Sequence, residues 1–249
     1  MIFNTRLLKT LRGNAKKYGL NKAVLKLLND LGVTSISKKG RLPHKGPLLI
    51  ISNHPGVFDS MLLMSQIERE DAHMIAISTY GIFGPEVKKK LLPIYRVRSL
   101  NHRIYEFPLF MQIDGKLPER LTVSEMKSRN REAINKAAHL INSGKAVSMF
   151  PTGSVGKSLN GGQWKAGVGF LIKQIANPKT KVVFATIKGT GNRDLLAYLH
   201  PIISRIFFRP RPISIQFSRA WLIDELVNKQ DDGKTIAIKL EKQYENHQA

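Results

Sequence analysis

One short stretch, NHPGVFD at positions 53–59, combines side chains that can do acid–base chemistry. His54 precedes a Pro-Gly pair, and Asp59 follows it, five residues after the histidine. In a continuous helix this separation places the two side chains ~140° apart, and in a strand it places them on opposite faces. They can meet only if the backbone turns between them, which the Pro-Gly pair favours. A carboxylate on one imidazole nitrogen makes the other nitrogen a better base, suited to take a proton from a hydroxyl.

Other interpretations of this stretch remain open. Asp59 is also placed to cap the helix that follows it, beside an unrelated surface histidine. A metal site built on His54 and Asp59 lacks further ligands at recognised spacings, so we expect no metal there.

A second stretch, FPTGSVGKS at positions 150–158, is rich in small residues and follows an apolar run. It is not a nucleotide-binding phosphate loop, because a proline occupies the first glycine position and has no N–H to donate. It is not a serine-hydrolase elbow either, since a threonine stands where that motif needs glycine. Gly153, Ser154 and Lys157 instead indicate an anion-binding nest of flexible backbone N–H groups beside a cation. A plain glycine-rich loop is the alternative.

Arg96 lies between these two stretches, in LLPIYRVRS, just after an apolar run. Its planar guanidinium is suited to clamp a phosphate. Taken alone, an arginine in this context is more often a surface residue.

The surrounding sequence alternates short β-rich runs with helical patterns. The β-rich runs are residues 47–52, 73–78, 93–97, 146–150, 181–187 and 212–217. Thr122 and Glu125 form a capping box at the start of a helix predicted over residues 122–141, and another helix is predicted over 164–176. This alternation predicts an α/β fold with a mostly parallel central sheet flanked by helices. In such sheets ligands bind beyond the carboxyl ends of the strands, where the histidine and glycine-rich stretches fall.

Length and charge narrow the class of protein. The 249 residues favour one large α/β domain over two small ones. Lys and Arg outnumber Asp and Glu by 40 to 18, and the resulting charge of +22 predicts an anionic partner: nucleic acid, an anionic membrane surface, a phosphorylated substrate or an acidic carrier protein. Only 8% of residues are aromatic and no nucleic-acid-binding motif is evident, so we expect no nucleic acid partner. A nucleic-acid-binding protein stays open as an alternative function, because the positive charge would suit one. The absence of cysteine excludes thiol catalysis.

Residues 1–31 form a basic amphipathic segment with leucines at helical spacing. Seven Lys or Arg residues precede the first acid, Asp30, and Gly13 and Gly19 predict a division into two helices. Such a segment suits a helix lying in a membrane interface, and equally a helix packed on the domain with a solvated basic face. An organelle transit peptide is a third interpretation. No apolar run approaches the ~20 residues that span a bilayer, so we expect neither a spanning anchor nor secretion.

Together, the motifs resemble those of the glycerophospholipid acyltransferase family, the lysophosphatidic acid acyltransferases and their relatives. NHPGVFD is similar to the family's first motif, Asn-His-x4-Asp, and LLPIYRV to its second. FPTGSVGKS resembles the third, usually written Phe-Pro-Glu-Gly-Thr/Ser, and KVVFATI takes the place of the fourth after the Lys-x-Gly helix at 165–167. The resemblance covers residues 42–189. We expect a single domain over 1–249, with the amphipathic segment 1–31 before this catalytic core and a strand and helices in 190–249 after it.

The resemblance implies acyl transfer from a thioester, on coenzyme A or acyl carrier protein, to a hydroxyl of a lysophospholipid, most of all 1-acyl-glycerol-3-phosphate. Glycerol 3-phosphate or another lipid is the alternative acceptor. His54 would be the general base, oriented by Asp59, and no cofactor beyond the acyl donor is implied. The protein would be peripheral, on the cytoplasmic face of an anionic membrane. The remaining motif residues would bind substrate: Asn53, Arg96, Thr152, Gly153, Ser154 and Lys157.

The sequence departs from the family pattern in two places. Thr152 replaces the glutamate of the third motif, and the fourth motif lacks its usual Val-Pro. The first departure bears on the identity of the acceptor. It also motivates a second hypothesis, a non-catalytic or differently specialised lipid-binding relative.

Overall fold

The structure is a computed structural model that describes residues 5–30, 32–95, 121–153, 155, 164–191 and 211–248. The helices of these residues are α1 (Thr5–Tyr18), α2 (Leu20–Asp30), α3 (Asp59–Gln66), a 3-10 helix (Ser78–Phe83), α4 (Pro85–Lys90), α5 (Val123–Asn142), α6 (Gly167–Gln174), α7 (Ile223–Leu226) and α8 (Gly233–Gln248). The strands are β1 (Val33–Lys39), β2 (Leu48–Ser52), β3 (His73–Ile77), β4 (Leu91–Ile94), β5 (Ala146–Met149), β6 (Lys181–Lys188), β7 (Arg211–Phe217) and β8 (Trp221–Leu222).

One eight-stranded sheet runs through these residues in the order β1-β7-β6-β2-β5-β3-β4, with β8 pairing on β6. The strands β6, β2, β5, β3 and β4 run parallel to one another. Both β7 and β8 are antiparallel to β6, and β1 is parallel to β7 at one edge. The predicted α/β fold with a mostly parallel central sheet flanked by helices is confirmed.

The central strands β2 and β5 are buried along their whole length because both faces of the sheet are covered. All five residues of β2 are buried. One face packs mainly on α1, α2 and α3, and the other on α5, α6 and α8. Alternate residues therefore enter two separate cores: Leu48 and Ile50 the first, Leu49 and Ile51 the second. Burial of each such side chain stabilises the fold by roughly 1.5–3 kcal/mol.

The two N-terminal helices use most of their apolar residues in the first core. Leu11, Ala15, Val24 and Leu28 are buried there, whereas Leu25 is 40% exposed. The lysines of both helices are exposed. The structure therefore favours a segment packed on the domain, with a solvated basic face. Within the described part of the chain, no helix combines the length and the apolar character needed to cross a membrane.

This segment divides at Gly19 and not at Gly13. Gly19 has a φ of +83°, a left-handed conformation that glycine adopts at low cost where a helix ends. Gly13 lies inside α1, where it costs about 1 kcal/mol relative to alanine. The burial of Leu11 and Ala15 on either side offsets that cost. The prediction of a break at Gly13 is wrong.

The capping box predicted at the start of α5 is present. The Thr122 hydroxyl accepts the Glu125 N–H at 3.2 Å, and the Glu125 carboxylate accepts the Thr122 N–H at 2.7 Å. Hydrogen bonds from the Thr122 backbone and hydroxyl hold the pKa of Glu125 below its ordinary value. Elsewhere the predicted boundaries shift: α6 begins at Gly167, later than predicted, and β4 begins at Leu91, earlier than predicted.

Two observed strands, β1 and β8, were not predicted from the sequence. Only the first residue of β1, Val33, is buried, so the strand carries no apolar pattern that distinguishes it from a loop. The two residues of β8 form a strand by pairing antiparallel with the start of β6. Both elements are defined by a partner strand that is distant in sequence, which local pattern does not reveal.

Candidate active site

The two stretches that carry the candidate site residues both follow the carboxyl ends of central strands. β5 and β6 lie on either side of β2 and pair with it in parallel, residue by residue along its length. Asn53 and His54 come directly after β2, and Phe150 comes directly after β5. The carboxyl ends of these central strands therefore lie together around His54. Parallel sheets bind ligands just beyond such strand ends.

The loop between β2 and α3, residues 53–58, turns and brings His54 to Asp59. Nδ1 of His54 lies 3.0 Å from Oδ2 of Asp59. The same carboxylate oxygen accepts the backbone N–H of Gly56 at 2.6 Å. Asp59 is completely buried, and the side chain of His54 is 12% exposed. This contact favours the tautomer with its proton on Nδ1, which leaves the Nε2 lone pair able to accept a proton.

Asp59 does not act as the cap of α3. Phe58 occupies the N-cap position, and no side-chain cap hydrogen bond is made there. The Asp59 carboxylate turns back to the histidine instead, while its charge in the first turn remains favourable for the helix dipole. The alternative interpretation, a capping aspartate beside an unrelated histidine, is therefore wrong. The catalytic role of the pair stays a prediction.

Gly56 allows a neighbouring turn to approach the 53–58 loop closely. A Cβ atom at Gly56 would lie 2.6 Å from the backbone nitrogen of Gly191 and 2.7 Å from Cβ of Thr190. These distances leave no room for a larger residue unless the backbone moves. The turn that follows β6 therefore packs directly on the loop that joins the histidine to the aspartate.

Phe150 supports the histidine from β5. Its ring stacks on the imidazole of His54, with centroids 4.5 Å apart and an angle of 30° between the planes. Phe150 is 8% exposed, so little water reaches the contact. Such stacking contributes about 0.5–1.5 kcal/mol and restricts the plane of the ring. His54 is thus held at Nδ1 by Asp59 and across one face by Phe150.

Asn53 binds the neighbouring strand. Its Nδ2 donates to the carbonyl of Ile187 at 2.8 Å, and its Oδ1 accepts the Ile187 N–H at 2.7 Å. The side-chain amide thereby ties the end of β2 to β6, directly beside His54. The structure thus gives Asn53 a structural role beside the histidine, and its contact with substrate stays a prediction.

The loop after β5 is described in part, and Ser154 and Lys157 lie outside the described residues. Thr152 is 3% exposed. Gly153 has a φ of +63°, and its N–H donates to the carbonyl of Phe150 at 3.1 Å, which closes a turn. That N–H is used within the chain, contrary to the anion-binding role predicted for it. The substrate contacts of Thr152, Ser154 and Lys157 stay predictions.

Lys165 places a cation beside this loop, although the sequence did not single it out as a site residue. Its Cδ and Cε lie 3.4 Å, and its Nζ 3.6 Å, from the position that a Cβ of Gly153 would take. The Lys165 N–H donates to the carbonyl of Pro151 at 3.0 Å. Lys165 is exposed, so its ammonium is available to an anionic ligand. Its sequence signal was its place in the Lys-x-Gly helix before β6.

Arg96 lies outside the described residues, but the residue before it is firmly placed. The Asn130 side chain accepts the Tyr95 N–H at 2.6 Å and donates to the Tyr95 carbonyl at 2.9 Å. The guanidinium of Arg129 lies 5.6 Å from the centroid of the Tyr95 ring. Sequence reasoning missed both α5 residues, which carry no spacing signal relative to β4. The phosphate contact of Arg96 stays a prediction.

Comparison with known proteins identifies the family. A family model described as Acyltransferase matches residues 34–188, which include the histidine stretch, the glycine-rich stretch and the strands that carry them. The chain belongs to this Acyltransferase family and is an acyltransferase.

A structural comparison agrees with this assignment. Six chains among the solved structures match significantly. One is the crystal structure of the 1-acyl-sn-glycerophosphate (LPA) acyltransferase, PlsC, from Thermotoga maritima, with a TM-score of 0.55 and 14% sequence identity, over 96% of this chain and 83% of that chain. At this identity the likeness establishes the fold. No curated protein matches the chain significantly.

Proposed function

We propose that this acyltransferase moves a fatty acyl group from an acyl thioester, on coenzyme A or acyl carrier protein, to a hydroxyl of a lysophospholipid, with 1-acyl-glycerol-3-phosphate as the preferred acceptor. The observation that carries the proposal is the contact between Nδ1 of His54 and the buried carboxylate of Asp59. Membership of the Acyltransferase family and the shared fold with the Thermotoga maritima LPA acyltransferase support it.

His54 acts as general base and then as general acid. Nε2 takes the proton of the acceptor hydroxyl while the hydroxyl oxygen bonds to the thioester carbonyl carbon. The tetrahedral intermediate collapses with cleavage of the C–S bond, and the imidazolium gives the proton to the departing thiolate. Asp59 stabilises the imidazolium formed between these steps. The chain contains no cysteine, and direct transfer needs no acyl-enzyme.

Two basic residues, Lys165 and Arg96, are proposed to bind the phosphate of the acceptor. Lys165 lies against Gly153 on the loop that starts next to the stacked Phe150. Arg96 follows the strand end that Asn130 holds. Binding the phosphate at a distance from the reacting hydroxyl converts binding energy into orientation of that hydroxyl towards Nε2.

A lysophospholipid is expected to be a better acceptor than glycerol 3-phosphate. With threonine at position 152, the site lacks a carboxylate that would accept a hydrogen bond from a free glycerol hydroxyl. An acceptor already positioned by its acyl chain in a bilayer depends less on that contact. The purified protein, given a labelled acyl thioester and a panel of lysophospholipids and glycerol 3-phosphate, yields kcat/KM for each acceptor by mass spectrometry of the products.

Two variants separate charge from size at this position. Thr152 is only 3% exposed, so Thr152→Glu and Thr152→Gln must both enlarge the same space. We expect the glutamate variant alone to shift the ratio of kcat/KM towards glycerol 3-phosphate. A parent protein that prefers glycerol 3-phosphate contradicts the proposed acceptor, and equal shifts in both variants exclude the charge as the cause. Lipid binding without turnover of any acceptor would favour the non-catalytic hypothesis.

The membrane partner is expected to be anionic and bound through charge, as suits a peripheral protein on a cytoplasmic face. α1 and α2 expose their lysines while most of their apolar residues are buried. Each lysine near an anionic bilayer contributes about 1 kcal/mol, so reversing Lys17, Lys22 and Lys26 to glutamate should weaken vesicle binding by ~100-fold or more. Sedimentation with phosphatidylcholine vesicles, with and without phosphatidylglycerol and at rising salt, measures the effect.

The matched control for vesicle binding reverses three basic residues on α5, which are also exposed: Lys127, Arg131 and Lys136. This variant has the same net charge as the first and should retain clearly more binding. An equal loss in both variants would mean that total charge decides binding. Binding that does not weaken with salt would exclude an electrostatic surface.

A further inference from the structure

Tyr80 holds the 53–58 loop from a third strand end. It lies in the 3-10 helix Ser78–Phe83, directly after β3. Its hydroxyl donates to the backbone carbonyl of Val57. The residue is 8% exposed, and its ring meets the ring of Phe83 edge-on with centroids 5.3 Å apart. A buried hydroxyl thus reaches the middle of the loop that joins the histidine to the aspartate.

The Val57 carbonyl controls how the chain enters α3. Its peptide group precedes Phe58, the N-cap residue, and Asp59 is the first residue of the helix. Rotation of this peptide group would move the start of α3 and, with it, the carboxylate that lies 3.0 Å from Nδ1 of His54. The loop has two other supports: the turn after β6 packs on Gly56, and Phe150, directly after β5, stacks on the imidazole. Tyr80 supplies the support from β3.

The 3-10 helix is itself fixed in place. Tyr80 and Phe83 belong to the first core, together with Leu11 of α1. At the end of the 3-10 helix, a Cβ on Gly84 would lie 3.0 Å from Cγ of Arg12, so α1 packs closely there. The Tyr80 hydroxyl therefore has a defined position relative to the sheet and does not follow the 53–58 loop if that loop moves.

We propose that Tyr80 is a positioning residue for acyl transfer, because its hydrogen bond to the Val57 carbonyl sets the relative placement of His54 and Asp59. This rests on the general-base function proposed for His54. A hydrogen bond that only stabilised the fold would leave the chemical step unchanged when lost. One that orients the base lowers kcat, since a displacement of ~1 Å can cost on the order of 10²-fold.

Tyr80→Phe removes the hydroxyl and keeps the ring. We expect kcat to fall by ~10–100-fold while KM for donor and acceptor stays within about 2-fold, because the reacting groups and not the binding groups are displaced. The matched control is Tyr244→Phe: Tyr244 is 1% exposed and its hydroxyl donates to the carbonyl of Ala185 at 3.4 Å, in the second core. Thermal unfolding should shift similarly in both variants. Parental kcat in Tyr80→Phe overturns the proposal.

A double variant tests whether Tyr80 acts through the His54–Asp59 pair. In the Asp59→Asn background the charge that Tyr80 would help to place is already gone, so adding Tyr80→Phe should lower kcat by less than about 3-fold further. The same loss in both backgrounds would mean that Tyr80 acts on another part of the site, which overturns the proposal.

Histidine ring NMR provides a readout that does not depend on turnover. In protein labelled with 15N-histidine, the signals lost in His54→Ala identify the His54 ring, which is expected to carry its proton on Nδ1. Tyr80→Phe should raise the share of the Nε2-protonated tautomer, and Tyr244→Phe should not. If the parent transfers no acyl group but Tyr80→Phe still changes the tautomer of the His54 ring, the proposed function fails and the positioning role stands. If Tyr80→Phe leaves the tautomer of the His54 ring unchanged, the positioning role is overturned whether or not the parent is active.

Discussion

Replacing His54 with alanine is expected to lower kcat/KM for acyl transfer by ~10²–10⁴-fold while the fold is retained. The expectation follows from the imidazole geometry, with Nδ1 3.0 Å from a buried carboxylate and Nε2 left to accept the hydroxyl proton. Loss of the stacking on Phe150 removes about 0.5–1.5 kcal/mol, too little to unfold a domain of this size. Turnover of a labelled acyl thioester and thermal unfolding, measured on the same preparation, separate the two effects.

The matched control is His44→Ala, since His44 is exposed and lies before β2. It should retain parental turnover. Because alanine leaves a space against the ring of Phe150, added imidazole is expected to restore part of the activity of His54→Ala. It should leave the turnover of the control unchanged. A folded His54→Ala protein with near-parental turnover would show that another group takes the hydroxyl proton.

Asp59→Asn should produce a loss of similar order, ~10²–10⁴-fold, by a different route. Oδ2 of Asp59 accepts the Gly56 N–H and also lies against Nδ1 of His54, so an asparagine oxygen in that place keeps both contacts but carries no charge. The imidazolium formed during transfer then has no negatively charged partner, which slows the step that forms it. In this variant the NMR signals of the His54 ring should still report a proton on Nδ1.

The unfolding temperature of Asp59→Asn should not fall, although its activity does. Asp59 is completely buried, and Oδ1 of its carboxylate has no hydrogen-bond partner among the described residues. Burying such a charge costs free energy, so the neutral asparagine should unfold at a temperature no lower than the parent's. Asp224→Asn, at an exposed position, serves as the control with neither effect. Parental turnover in a folded Asp59→Asn protein would exclude the orienting role of the carboxylate.

The sequence carried much of the information about which candidate site residues could meet. The Pro-Gly pair between His54 and Asp59 favoured a turn, and the structure contains that turn and the contact that it allows. The proline in the glycine-rich stretch argued against a nucleotide loop, because it has no N–H to donate. Both inferences depend on backbone restrictions over a few residues, which the neighbouring chain sets.

Local pattern also identified the elements that position the site. The apolar runs of β2 and β5 and the capping box of α5 fall where they were predicted. Gly13 was misjudged because the burial of Leu11 and Ala15 outweighs a propensity cost of about 1 kcal/mol. β1 was missed because most of its residues are polar and its partner, β7, is distant in sequence.

The tertiary structure decided which of the candidate residues meet, and what surrounds them. Asn53 became a partner of Ile187, 134 residues away, only because the chain places β6 beside β2. The stacking of Phe150 on His54, the packing of Thr190 on Gly56 and the hydrogen bond from Tyr80 depend in the same way on strand order. Strand order and register follow from the total burial of two cores and from the connections around the sheet. A contact between residues far apart in sequence therefore leaves no local pattern, while a turn or a helix cap is set by the residues beside it.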